Sequence, residues 1–135
     1  MDKRKIDKLE INTENDLVIV RQHVRSFCIN MGFNLVDQTR IITAVSELTR
    51  NALNYGGGGF LNIEEIIENG ITGLKIIVID EGPGIEDLEL AMTDGYSTGK
   101  GLGNGLGGSK RLLDEFDINS KVGKGTIVEG VKWLG

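Results

Sequence analysis

The placement of glycine constrains the fold of this chain more than any other feature of its sequence. Of its 20 glycines, four form the run 56–59 and seven lie between residues 95 and 108. Average usage is roughly 7%, so the chain carries about twice the usual share. Glycine weakens the interiors of helices and strands but suits tight turns and close backbone approach. The clustering therefore predicts regular elements joined by a few glycine-rich loops, with a functional site built from those loops.

The spacing of apolar residues predicts the elements between these loops. Recurrence at three and four residues indicates helices, and alternating or β-branched runs indicate strands. The predicted order is a strand at 8–12, helices at 14–31 and 36–55, strands at 60–68 and 74–80, a short helix at 86–92, a helix at 106–116, and strands at 117–121 and 126–132. Neighbouring strands with short connections are usually antiparallel. The expected fold is an α+β two-layer sandwich with a mixed, largely antiparallel sheet and helices on one face.

Length, charge and cysteine content narrow the class of protein. A chain of 135 residues fits one domain, which we expect to span 1–135. The formal net charge of −5 argues against nucleic acid or an anionic membrane as the main partner. The charged start lacks an apolar stretch behind it, and Cys28 is the single cysteine, so we expect a cytoplasmic protein with a buried, unreactive thiol.

A carboxylate and an amide share one face of the second predicted helix. Glu47 and Asn51 are four residues apart in Ser46-Glu47-Leu48-Thr49-Arg50-Asn51, which stacks them one turn from each other. Such a pair can divide two tasks, because the amide oxygen suits Mg²⁺ and the carboxylate can accept a proton. The alternative is an ordinary polar helix surface.

Two further segments are candidates for contact with a planar ring. Asp80 ends the strongest predicted strand and is followed by two glycines in Asp80-Glu81-Gly82-Pro83-Gly84-Ile85. An aspartate there can accept a hydrogen bond from an exocyclic amine while the backbone passes close to the ring; the alternative is a tight turn around the proline. Thr126 opens the last strand, where it either contacts the edge of a base or is simply a β-branched strand residue.

The segment from Gly95 to Lys110 is typical of a phosphate-binding loop. It is rich in glycine, contains Lys100 and leads into a predicted helix, where successive N–H groups can bind an anion. Its G-x-G-x-x-G pattern follows a polar loop rather than a strand, which excludes a Rossmann site, and the spacing before Lys100 does not fit a Walker A loop. The alternative is a flexible surface loop.

Taken together, these blocks resemble the GHKL ATPases, which share the Bergerat fold. The N box matches from Glu47 to Asn51, the G1 box at Asp80-x-Gly82-x-Gly84, the G2 box from Gly103 to Gly107, and the lid at 96–100. The resemblance implies that ATP and Mg²⁺ are bound. It implies Glu47 and Lys100 as catalytic residues, Asn51 as the magnesium ligand, and a nucleotide site formed by Asn51, Asp80, Gly82, Gly84, Ile85, Thr98, Gly101, Gly103, Gly105, Leu106, Gly107 and Thr126.

Within that group, the Ser-Glu-Leu-x-Arg-Asn form and the chain length are similar to the anti-sigma serine/threonine kinases. This resemblance implies phosphorylation of a STAS-domain antagonist protein, partner switching in a sigma-factor stress response, and activation of a PP2C-type phosphatase. Related kinases often carry a lid arginine. Residues 93–110 hold only Lys100 and Lys110 as basic groups, so the alternatives are that transfer is slow or that Lys100 serves instead of the arginine.

Two other classes of protein are alternatives to a kinase of this type. One is a non-catalytic ATP-binding module that acts by binding a sigma factor or a phosphatase regulator; transfer of label from ATP to a partner would discriminate it from a kinase. The other is a detached histidine-kinase catalytic domain. The single histidine, His23, lacks the residues of a phosphoacceptor box around it, which favours an ordinary helix histidine instead.

Overall fold

The computed structural model describes residues 6–82 and 102–134. Within these ranges the chain forms five strands and three helices: β1 (Ile6–Ile11), α1 (Glu14–Met31), α2 (Leu35–Asn54), β2 (Gly59–Glu68), β3 (Ile71–Asp80), α3 (Leu102–Leu112), β4 (Glu115–Lys121) and β5 (Gly125–Trp133). No helix in these two ranges is long and apolar enough to span a membrane. The short helix expected at 86–92 falls outside the described residues.

The five described strands form one sheet in the order β1-β2-β3-β5-β4. Each of the four strand pairings is antiparallel. β5 lies between β3 and β4, so the last strand of the chain enters the sheet beside the strand that ends at Asp80. The predicted two-layer architecture with a largely antiparallel sheet is confirmed, and none of the described pairings is parallel.

Side-chain caps set the ends of the first two helices. Thr13 accepts a hydrogen bond from the Asp16 backbone N–H at 3.1 Å, and the Asp16 carboxylate accepts from the Thr13 backbone N–H at 3.0 Å, which is a capping box. Gly32 ends α1 with φ 95°, a conformation that favours glycine. Asn34 caps α2 by accepting from the Asp37 backbone N–H at 2.8 Å. The bounds predicted for these two helices are correct to within one residue.

The hydrophobic core lies between the sheet and the helical layer. Alternate residues of the central strands face it, and the apolar stripes of α1 and α2 cover them. The largest fully buried side chains are Phe27, Ile11, Ile41, Leu61, Ile63, Leu74 and Ile76. The core under the first two helices is continuous. The end of α2 lies close to the end of β3, and this arrangement positions the candidate site.

The prediction was wrong at the junction of α3 and β4. Phe116 was expected in a helix at 106–116, but it pairs with Gly130 inside the sheet. The Asp114 backbone N–H donates to the Val131 carbonyl at 2.9 Å, so pairing with β5 competes with continuation of the helix. The helix begins earlier, at Leu102, despite several glycines. Long-range strand pairing overrides local apolar spacing here.

Cys28 is buried in the core on α1, and burial raises the pKa of its thiol to about 12. Because the thiolate is the reactive form, we expect the folded protein to resist alkylation by iodoacetamide at pH 8 and to react quickly in 6 M guanidinium chloride. Mass spectrometry of both samples measures this. Equal labelling of the folded and unfolded protein would contradict the burial of this side chain.

The single histidine is a structural residue. His23 Nε2 lies 2.7 Å from Asp7 Oδ2, and both side chains are about one-third exposed. The contact joins α1 to the edge strand β1. This agrees with the interpretation of His23 as an ordinary helix histidine.

Candidate functional site

The last two turns of α2 carry the acid and the amide singled out by the sequence. Glu47 is exposed and Asn51 is half-buried, one turn further along the same helix. The opposite face of this segment is anchored in the core by Leu48 and Thr49, and the Thr49 hydroxyl donates to the Val45 carbonyl at 2.7 Å. The Glu47 side chain is therefore exposed to solvent on a helix segment that is packed against the core. In that position it can accept a proton from a hydroxyl group.

Asp80 occupies the end of β3 and is half-buried. Its Oδ1 accepts a hydrogen bond from the Gly82 backbone N–H at 3.0 Å, and the carboxylate also accepts from the Thr126 backbone N–H. Burial raises the pKa of Asp80 above its ordinary value, and the two backbone hydrogen bonds oppose that rise. An aspartate held in this way keeps lone pairs available for a donor on a ligand.

The backbone of Gly56 joins the end of α2 to Asp80. Its N–H donates to the Ala52 carbonyl at 3.1 Å and to the Asn51 carbonyl at 3.3 Å, which closes the helix. A Cβ on Gly56 would lie 2.7 Å from Asp80 Oδ1, and a Cβ on Gly82 would lie 2.9 Å from the Gly56 carbonyl carbon. The backbones of both glycines are therefore packed directly around the aspartate. The C-terminal end of α2, the helix that carries Glu47 and Asn51, therefore lies against the strand-end aspartate.

Thr126, on β5, also lies at this end of the sheet. It is directly opposite Asp80 in the β3–β5 pairing, so the two side chains share a face of the sheet. Thr126 is buried, and its hydroxyl lies 2.9 Å from that of Ser120, its opposite partner on β4. Three of the expected site residues, Asn51, Asp80 and Thr126, are thus placed on elements that converge at one end of the sheet.

Several of the expected site residues fall outside the described part of the chain. These are Gly84, Ile85, Thr98, Lys100 and Gly101. For Gly103, Gly105 and Leu106 the structure describes helical backbone in α3, and Gly107 is buried there. α3 packs against α2, the helix that carries Glu47 and Asn51.

The oxygen donors of α2 suit a magnesium ion bound mainly by phosphate and water. Among the described residues, no group of three or more His, Cys, Asp or Glu side chains lies together, so this part of the chain offers no complete cage. Mg²⁺ in nucleotide sites typically takes one or two protein oxygens and completes its shell with phosphates and water. The half-buried Asn51 amide fits that role.

Two contributors to the site were not recognised from the sequence. The sequence assigned no particular contact to the run 56–59, and the contact of Gly56 with Asp80 is made only in the folded structure. Ser120 had a usable signal, because the turn at 122–124 pairs Lys121 with Gly125 and hence Ser120 with Thr126. The length of that hairpin turn would have sufficed to place it.

Replacing Asp80 by asparagine tests the electrostatics of this location without a ligand. Because the folded pKa is raised, the ionised carboxylate costs stability above that pKa, and the cost is relieved as the pH falls through it. We expect Asp80→Asn to have a higher free energy of unfolding in urea than the wild type at pH 7. This advantage should shrink towards pH 4; an advantage that is the same at both pH values would contradict the assignment.

The chain is similar over nearly its whole length to known regulatory proteins. It is 51% identical over 126 residues to the serine/threonine-protein kinase RsbT of Bacillus subtilis (strain 168), covering 93% of this chain and 95% of that protein. It is 35% identical over 120 residues to an anti-sigma F factor of Thermoanaerobacter sp. (strain X514), covering 85% and 83% respectively. The resemblance to anti-sigma serine/threonine kinases inferred from the motifs is confirmed.

Comparison with solved structures supports the same fold. The chain superposes on a crystal structure of the RsbU and RsbW domains of Rv1364c from Mycobacterium tuberculosis with a TM-score of 0.65 and 20% identity, covering 99% of this chain and 34% of that one. Residues 36–133 match the model of the histidine kinase-, DNA gyrase B- and HSP90-like ATPases. That span contains Glu47, Asn51, Asp80 and Thr126. The chain therefore belongs to the family of histidine kinase-, DNA gyrase B- and HSP90-like ATPases, the GHKL family.

Proposed function

We propose that this chain is an ATP-dependent serine/threonine kinase, a single domain over 1–135 that acts in the cytoplasm. Its proposed substrate is a STAS-domain antagonist protein, and its proposed role is partner switching in a sigma-factor stress response. The observation that carries this proposal is the packing of Gly56 against Asp80, with Thr126 opposite Asp80 on β5. Gly56 closely follows α2, the helix that carries Glu47 and Asn51. The 51% identity to a serine/threonine-protein kinase favours transfer over simple binding.

Asp80 and Thr126 are proposed to bind the adenine edge. The Asp80 carboxylate accepts a hydrogen bond from the exocyclic amine, and the backbones of Gly82 and Gly56 pass close to it. The close approach favours a flat ring lying against backbone rather than a branched ligand. Gly84 and Ile85 are proposed to continue this contact.

The glycine-rich segment is proposed to bind the phosphates. Thr98, Gly101, Gly103, Gly105, Leu106 and Gly107 contribute hydroxyl or backbone N–H groups, and Lys100 neutralises charge on the transferred phosphate. The packing of α3 against α2 supports this assignment, because α2 also carries Asn51. Asn51 is proposed as the protein ligand of Mg²⁺, which when bound neutralises phosphate charge.

Glu47 is proposed to orient and deprotonate the serine or threonine hydroxyl of the partner. It is exposed, which suits a residue that must meet a second protein. Phosphoryl transfer requires mainly alignment and charge neutralisation. One positioned carboxylate is therefore enough to orient the hydroxyl and accept its proton. After transfer, we propose that the kinase leaves the antagonist and binds a PP2C-type phosphatase.

Incubation with γ-labelled ATP, Mg²⁺ and a purified STAS-domain antagonist tests the kinase directly. Label is expected on a serine or threonine of the antagonist, identified by mass spectrometry. Calorimetry with Mg²⁺-ADP runs in parallel. Binding of ADP without transfer of label would favour the non-catalytic module, and absence of ADP binding would refute the nucleotide site itself.

A further inference from the structure

Two hydroxyl groups continue the row of Asp80 across the sheet: Thr126 on the neighbouring strand β5 and Ser120 on β4 beyond it. The Ser120 hydroxyl donates to the Gly125 carbonyl at 3.0 Å, and it lies 2.9 Å from the Thr126 hydroxyl. A serine hydroxyl has one proton to donate. Because that proton is directed to Gly125, the hydrogen bond between the hydroxyls must be donated by Thr126. Because Thr126 has donated its only hydroxyl proton to Ser120, Thr126 Oγ1 can only accept a hydrogen bond from any other group.

The pairing register places this acceptor beside another. Gly59, Asp80, Thr126 and Ser120 are opposite one another across β2, β3, β5 and β4, so they form one row on the face of the sheet that faces the helices. Asp80 is fixed by donors from the Gly82 and Thr126 backbones, and an ionised carboxylate can only accept. The row therefore presents two acceptors, from Asp80 and Thr126, and Ser120 holds the second in that state.

We infer that Ser120 is a positioning residue for base specificity: it locks the Thr126 hydroxyl as an acceptor, so that Asp80 and Thr126 together select a purine with an exocyclic amine over one with a carbonyl at that position. This inference rests on the proposed nucleotide site and adds to it. An amine offers two protons, which match two acceptors. A carbonyl oxygen would face two acceptors without a donor, and an unpaired buried acceptor is unfavourable.

Without Ser120, the Thr126 hydroxyl is free to rotate. It can then donate its proton to a ligand carbonyl, and the penalty against the carbonyl purine falls. A hydrogen bond of this kind changes affinity by roughly 3- to 10-fold. The expected change is in the ratio of the affinities for the amine purine and the carbonyl purine. A loss of packing would weaken the binding of both ligands equally and would leave that ratio unchanged.

Calorimetric titration with Mg²⁺-ADP and Mg²⁺-IDP measures that ratio. The two probes differ by an amine against a carbonyl at C6 and by an unprotonated against a protonated N1. The N1 difference between the probes is the same for every variant, so the change in the ratio on Ser120→Ala is the quantity compared. We expect the wild type to prefer ADP and Ser120→Ala to narrow the preference by about 3- to 10-fold, mainly through tighter binding of IDP. In a Thr126→Val background, Ser120→Ala should change nothing further. Asn119→Ala is the matched control: Asn119 is the preceding, exposed residue of β4 and faces the opposite side of the sheet.

The outcomes separate this inference from the proposed function. If the wild type binds no ADP, the nucleotide site fails and this inference fails with it. If the wild type binds ADP and the ADP-to-IDP ratio is the same in Ser120→Ala, the nucleotide site stands and the role of Ser120 is refuted. Should Ser120→Ala fail to fold, Ser120→Cys, which has a similar volume and a much weaker hydrogen-bonding group, is expected to narrow the ratio in the same way; an unchanged ratio there is equally decisive.

Discussion

Replacing Glu47 by glutamine is expected to reduce transfer of phosphate to the partner by about 10²- to 10⁴-fold, the usual contribution of a general base. The variant keeps the shape of the side chain and loses the charge that accepts the proton. Binding of Mg²⁺-ADP should change little, because Glu47 is exposed and lies a full turn from Asn51. Single-turnover phosphorylation with labelled ATP measures the first quantity, and calorimetry measures the second.

The matched control is Glu68→Gln, which removes an equally exposed carboxylate at the opposite end of the sheet, beside the β2–β3 turn. It should leave both quantities unchanged. Phosphorylation by Glu47→Gln at the wild-type rate would show that another group accepts the proton. Loss of ADP binding together with transfer would instead place Glu47 in the nucleotide site.

Replacing Gly56 by alanine is expected to weaken Mg²⁺-ADP binding by roughly 10- to 100-fold. The added Cβ would lie 2.7 Å from Asp80 Oδ1 and 2.6 Å from Asp80 Cβ, so the carboxylate or the end of α2 must shift. Hydrogen bonds to a charged group are worth about 1.5–3 kcal/mol, and they weaken steeply when the geometry is lost. Calorimetric titration of the purified variant checks the prediction.

Gly57→Ala provides the control for this contact. A Cβ at Gly57 meets no atom within 4 Å, although its φ of 74° makes alanine unfavourable there. This variant should therefore lose some stability, about 1 kcal/mol, and keep its affinity for ADP. If both variants lose affinity equally, the cause is strain in the connection after α2 rather than displacement of Asp80.

Much of the fold could be predicted from local signals. Thr13, Asn34 and Gly32 are recognisable caps, and they define α1 and the start of α2 to within a residue. The β-branched run before Asp80 identified the central strand. The α3–β4 boundary could not be predicted in this way, because the apolar spacing of Phe116 is compatible with a helix. In the structure Phe116 is in β4, where it pairs with Gly130, fourteen residues away in the chain.

The chemistry of the site was partly visible in the same signals. Glu47 and Asn51 are adjacent on a helix because four residues make about one turn, and this is a local property. Their distance from Asp80 is not local, because it depends on how α2 packs on the sheet and on where β5 inserts. The roles of Gly56 and Ser120 follow from that packing alone.

The sequence by itself determined most of the helices and strands, the residues that carry polar chemistry, and the family that the motifs resemble, because capping, periodicity and motif spacing act within a few residues. Only the tertiary structure decided that the end of α2, Asp80 and Thr126 meet, and that Ser120 sets the direction of a hydroxyl proton. Those contacts are made between segments far apart in the chain, and strand register and helix packing specify them.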